Sequence, residues 1–332
     1  MTQGKVLAIA AACSFVSMPV AAQAGSIDSQ CRAGTVSERF TQDACQKALD
    51  LFQFMAPQLG ITIVGGNAVL GEHSSMRGLG HFSVGLRANV LESSLPQVEK
   101  RSPVISGATS SEYPVSKQVI GAPALDAAIG LFRGFPVGGT HVLGVDGLVN
   151  LAYIPSVTER DIKLEVPDGS IKLGFGGRVG VMQETFLTPG IAVTYLRRDL
   201  PTMNVIGQSG SDELRVRNID VQTEAWRGVI GKNFSVLGLS VGGGQDRYKT
   251  SAIAQATVVR TGLSVDSDEV EARQKVTREN FFANASLNFA VLRIVGEVGR
   301  VSGGSIKTFN SFSGSDANDA RNYASLGLRV NW

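Results

Sequence analysis

The stretch with the spacing of a catalytic motif is Gly238-Leu239-Ser240-Val241-Gly242, and three histidines, His73, His81 and His141, could in principle serve it as a base. A G-x-S-x-G serine becomes a nucleophile only where a strand turns sharply into a helix, with a histidine and an acid placed around it. Here Leu239 and Val241 alternate with Gly238, Ser240 and Gly242, as in a strand that simply continues. No histidine has a spacing that ties it to a nucleophile or a metal. The glycines at 174, 176, 177 and 180 lack the Lys-Ser/Thr ending and following helix of a phosphate loop. Asp266, Asp268, Glu269 and Glu271 form one acidic loop, and Asp316, Asn318 and Asp319 another. Oxygen ligands suit Ca²⁺, but the spacing matches no calcium loop, so both read as solvated loops. The expectation is no catalytic residue, no metal and no cofactor.

What must position the remaining charges is a series of strands. Phe82, Val84, Leu86, Ala88 and Val90 alternate with Ser83, Gly85, Arg87 and Asn89, and so point to opposite faces. The same division puts Leu125, Ala127, Ile129 and Leu131 against Asp126, Ala128 and Gly130, and Leu173, Phe175, Val179 and Val181 against Lys172, Gly174, Gly176 and Arg178. It recurs around Asp146 and Asn150, in a shorter run at Ile191, Val193 and Tyr195, and at 237–242, 281–289 and 292–298. Residues 222–230 are ambiguous, because Trp226 and Arg227 divide the faces unclearly. The final run, N-Y-A-S-L-G-L-R-V-N-W, closes the pattern. About ten strands result, with eight, twelve or fourteen as alternatives. The polar face collects Arg87, Asp126, Asp146, Lys172, Arg178, Arg293, Glu297 and Arg329.

The connections sort by length. Those at 135–139, 184–189, 231–233 and about Ala290 are short; those at 92–119, 155–168, 198–218, 245–275 and 302–320 are long and polar, and the two kinds alternate. A sandwich has no reason to sort its loops in this way, whereas a transmembrane barrel has one. With Trp332 as the last residue of an alternating strand, the chain resembles the outer-membrane β-barrels of Gram-negative bacteria. The resemblance implies a closed antiparallel transmembrane barrel, with Leu326, Leu328, Val330 and Trp332 read by the barrel insertion machinery. It also implies contact with outer-membrane lipid, short turns in the periplasm and long loops outside.

Residues 1–24 have Lys5, an apolar run and Ala22-Gln23-Ala24, the layout of a secretory signal peptide with cleavage expected before Gly25. Loss of Lys5 leaves 30 basic against 29 acidic residues, a net charge of +1, and no basic surface for nucleic acid. Val36, Phe40, Ala44, Ala48, Leu51, Phe52 and Met55 recur at helical spacing, so a helix is predicted over 37–55 with Pro57 marking its exit. Cys31 and Cys45 are the two cysteines left after removal of the signal, and a periplasmic segment permits a disulfide between them; two free thiols are the alternative. Residues 25–60 therefore form a disulfide-braced helical segment before a barrel over 61–332. The stretch 61–71 is either a further strand or part of a plug.

Two arrangements are open for the helix, a cap over the periplasmic mouth or docking on a periplasmic partner. The inward charges line a channel or fill the lumen with ion pairs. The leading expectation is passive, porin-like transport of a small solute, with a non-transporting barrel acting through its loops as the alternative. An outer-membrane hydrolase is a minor third reading.

Overall fold

The computed structural model describes residues 25–332 except 68, 155, 160 and 161. The expected signal peptide, residues 1–24, lies outside the described residues. Ten strands form the wall: β1 (Phe82–Pro96), β2 (Val115–Phe132), β3 (Gly144–Tyr153), β4 (Ile171–Met182), β5 (Gly190–Asp199), β6 (Asp212–Phe234), β7 (Leu237–Arg260), β8 (Val270–Phe289), β9 (Leu292–Val301) and β10 (Arg321–Asn331). Each pairs antiparallel with its neighbours in sequence. The ring closes where β1 meets β10, in a register that runs from Ser83 opposite Asn331 to Leu91 opposite Tyr323. Closure leaves no open edge among these ten strands, as a wall surrounded by hydrocarbon requires. The fold is a closed, ten-stranded antiparallel barrel of the transmembrane type.

The outward face carries an exposed apolar belt that includes Leu86, Leu173, Phe175, Val241, Phe281, Val298 and Leu326. On β7 the outward side changes from Leu239 and Val241 to Gln245, Arg247 and Lys249. At about 3.3 Å per residue β7 is roughly 80 Å long, more than an apolar band about 25 Å tall needs even at a 45° tilt. The ends of β6, β7 and β8 therefore project beyond the belt on the side of the long connections. This corrects the expected loop over 245–275: it is mostly strand, β7 running to Arg260 and β8 starting at Val270. The ambiguous stretch 222–230 belongs to β6, with Trp226 outward and Arg227 buried in the lumen.

Inside the barrel lies the helix α1 (Val36–Val64). Thr35 and Glu38 form a capping box at its start: Thr35 Oγ1 accepts from the Glu38 amide, and the Glu38 carboxylate accepts from the Thr35 amide. The predicted exit at Pro57 is overturned, since Pro57 stands inside the helix. A proline in that position removes the amide that would bond the Gln53 carbonyl. The wall replaces it, because Gln274 on β8 donates its side-chain amide to that carbonyl at 2.9 Å. The stretch 61–71 is not a strand: its first four residues finish the helix, and residues 65–67 and 69–71 fill the lumen as turn and coil. It therefore adds no strand to the ten of the wall.

The expected position at the short-turn mouth is also overturned. Asp43 accepts from the amides of Val104 and Thr109, and Asp50 from those of Phe309 and Asn310, all four in long connections. The Gly25 amide bonds the Thr308 carbonyl on the same side. The chain thus enters at the long-loop end, descends as α1, and leaves at the short-turn end through residues 65–81 before β1 begins. Cys31 and Cys45 are joined by a disulfide and are buried, so the short 3-10 turn before the helix is tied to its third turn.

Candidate functional site, a lumen closed by its own chain

The helix packs on the wall through polar as well as apolar residues. Gln58 accepts from the Ser93 hydroxyl at 2.7 Å and the Ser94 amide at 2.8 Å, and donates to the Ser94 carbonyl. Phe54 stacks on Phe312, their ring centroids 3.9 Å apart. Burial pushes the Asp50 carboxyl up, although the Asn310 and Phe309 amides oppose that shift. The Gly34 and Thr35 amides hold the Glu38 carboxyl below its ordinary range.

The C-terminal end of α1 meets a collar of arginines. The last carbonyls of a helix have no intrahelical partner and carry the negative end of its dipole. Arg198 on β5 donates to the carbonyls of Ile63 and Val64 at 3.3 and 3.4 Å. Arg87 on β1 donates to Gly65, and Arg227 on β6 to Val64 and Gly66. Lower down, Arg329 donates to the Leu70 carbonyl and Arg293 to that of Gly71 and to the Glu72 carboxylate. Five wall arginines thus hold one segment of the plug by its backbone.

Carboxylates on the wall balance some of these cations. Arg87 pairs with Asp126 at 2.9 Å, Arg178 with Asp146 at 2.8 Å and Arg227 with Asp246 at 2.8 Å, each pair nearly free of solvent. Glu297 accepts instead from the Asn67 amide of the plug, and Asp146 also takes the Met76 amide. Below them, His73 Nε2 lies 2.8 Å from Glu184, which also accepts from the Asn233 amide. Gly130 and Gly180 sit where the plug touches the wall; a Cβ at Gly130 would strike the Gly78 carbonyl, and one at Gly180 would strike Ser75. The space left by these wall glycines is occupied by the plug. A cavity of about 50 Å³ remains beside the helix, lined by Ala44, Leu51, Tyr113, Leu214 and Ala256 among others.

Of the eight charges assigned to the lumen, Arg87, Asp126, Asp146, Arg178, Glu297 and Arg329 are buried there, and Arg293 is mostly so. Lys172 is a correction. It has the inward parity, but it is the second residue of β4, at the long-loop rim, and is exposed. Arg198, Arg227 and Asp246 were missed. Arg198 follows Tyr195 at the end of a short alternating run, and Asp246 fell in a stretch read as loop, although both keep the inward parity of their strands. The G-x-S-x-G serine is inside β7, its hydroxyl bonded to Asn284 across the lumen face. Leu326 and Leu328 are exposed on the outer face; Trp332 stacks on Phe82 and exchanges two backbone hydrogen bonds with it. Among the described residues, no group of three or more His, Cys, Asp or Glu side chains could hold a metal ion.

No protein family and no curated protein matches the sequence. Solved structures with a similar chain course are outer-membrane β-barrel proteins. They include Ail, the attachment invasion locus protein of Yersinia pestis, at 10% identity and a TM-score of 0.27, covering 76% of this chain and 99% of that one. The outer membrane channel DcaP of Acinetobacter baumannii also has 10% identity, with a TM-score of 0.19 and coverage of 76% and 96%. OmpT of Vibrio cholerae gives 10%, 0.19, 76% and 97%.

Proposed function

We propose that the protein is an outer-membrane channel for a small solute, closed in this conformation by its own N-terminal segment. The observation that carries the reading is the way the lumen is filled. A barrel that needs only stability can pack its interior with wall side chains. This wall has glycine at several inward positions and is filled by a separate stretch of chain held through hydrogen bonds. Hydrogen bonds of that kind, from a charged guanidinium, contribute about 1.5–3 kcal/mol each, and a segment held through them can leave the lumen as a unit, as wall side chains cannot.

With the short turns in the periplasm and the long connections outside, the N-terminal segment begins at the outer mouth. The protein acts on no substrate chemically and partners with outer-membrane lipid and, during assembly, the insertion machinery. A second reading, a silent barrel that meets an external partner, is favoured by the ends of β6, β7 and β8 that project past the apolar belt. Recordings of the full-length protein in planar bilayers separate the two. Discrete voltage-dependent openings are expected; a correctly folded barrel silent at every voltage contradicts the channel.

A further inference from the structure

The collar that holds the plug has more positive charge than its own wall can balance. Among the described residues of the collar, Arg87, Arg178, Arg198, Arg227, Arg293 and Arg329 stand against Asp126, Asp146, Asp246 and Glu297, an excess of two positive charges; the buried Arg278 lies apart, on carbonyls of the 302–320 connection. Arg87, Arg178 and Arg227 have wall carboxylates as partners. Arg198 and Arg329 have none among the described residues, and their only hydrogen-bond acceptors there are carbonyls of the plug. Arg198 is 2% exposed, and its Nε and Nη2 atoms have no partner at all among the described residues. Arg293 likewise has its acceptors in the plug, at the Gly71 carbonyl and the Glu72 carboxylate.

A guanidinium buried without an acceptor is costly, and its planar fork matches two oxygens of a carboxylate or phosphate. When the plug withdraws, Arg198, Arg293 and Arg329 lose every acceptor the described chain provides at once. We infer that the collar is then a binding and selection site for small oxyanions, whose oxygens take the places of the plug carbonyls. This rests on the reading of the barrel as a gated channel. The plug carbonyls, those of Ile63 and Val64 at the negative end of the α1 dipole, occupy the site as an internal stand-in for that ligand. Anion and plug compete, so a solute of the right charge favours the open state that admits it.

Two measurements on the full-length protein test this. In planar bilayers under a potassium chloride gradient, the reversal potential is expected to show chloride favoured over potassium by at least about threefold. Arg198→Gln and Arg329→Gln should each reduce that preference by about twofold without stranding a wall carboxylate. Two variants are used so that one that fails to fold does not remove the test. The second measurement is amide exchange over residues 61–72 in detergent, with inorganic phosphate against sodium chloride at equal ionic strength. Phosphate is expected to accelerate it by about tenfold or more. A preference for potassium, or plug exchange indifferent to phosphate, overturns the inference. Silent bilayers together with phosphate-accelerated exchange leave the anion site standing and retire the channel.

Discussion

Gln274 donates its side-chain amide to the Gln53 carbonyl at 2.9 Å, in place of the amide that Pro57 lacks. The bond joins the middle of the plug to β8 and lets a proline persist inside a helix of 29 residues. Gln274→Leu should destabilise the barrel–plug unit by about 1 kcal/mol in urea unfolding. In a Pro57→Ala background, where the helix supplies its own amide, the same change should cost clearly less. An equal cost in both backgrounds would mean that Gln274 does not serve the carbonyl that Pro57 frees.

Trp332 and Trp226 differ in role, not in exposure: each is a little over half exposed on the outer surface. Trp226 leans on Tyr195 within the wall, whereas Trp332 stacks on Phe82 and bonds its backbone where β10 closes on β1. Trp332→Ala should therefore lower the yield of heat-modifiable, folded protein in the membrane much more than Trp226→Ala. Equal losses would reduce Trp332 to one aromatic anchor among others.

Much of this was legible in the sequence, for a physical reason. Wherever one strand face meets hydrocarbon and the other a polar lumen, alternation is forced, and β1, β2 and β4 could be read residue by residue. The signal failed where that contrast is missing. Past Gln245 the outward side of β7 lies beyond the apolar belt, so polar residues on both faces looked like a loop. Asp43, Lys47 and Asp50 lie between the apolar positions of the predicted helix, and Gln58 lies past its predicted exit, yet all four are at most 5% exposed. They are buried because this helix packs inside a polar wall, against which polar side chains find partners. Arg198 and Arg227 had the correct parity, but an isolated arginine carries no spacing that would announce an acceptor from a distant segment.

The capping box gives a dependence on pH. The Gly34 and Thr35 amides hold the Glu38 carboxyl below its ordinary value, so its contribution is present above the unfolded value near 4.5 and lost as pH falls through the lower folded one. Glu38→Gln should lower the urea midpoint at pH 7, and the gap from the parent should close as the pH is taken below 4. A gap that persists unchanged at acid pH would show that the charge is not what caps the helix.

The path of α1 puts residue 25 on the side of the long connections. With those connections outside the cell, a peptide tag inserted after Gly25 should be reached by antibody on intact bacteria. Labelling only after permeabilisation of the outer membrane would reverse the orientation of the barrel or move the plug out of it.

Removal of the plug tests the central claim most directly. Deleting residues 26–72 takes away α1 and all the carbonyls that the arginine collar holds, while leaving β1 to β10 intact. Single-channel conductance in planar bilayers should then rise by several-fold over that of the full-length protein, with continuous opening in place of brief events. A deletion variant that still shows heat-modifiable migration but conducts no more than its parent would contradict a lumen closed by the N-terminal segment.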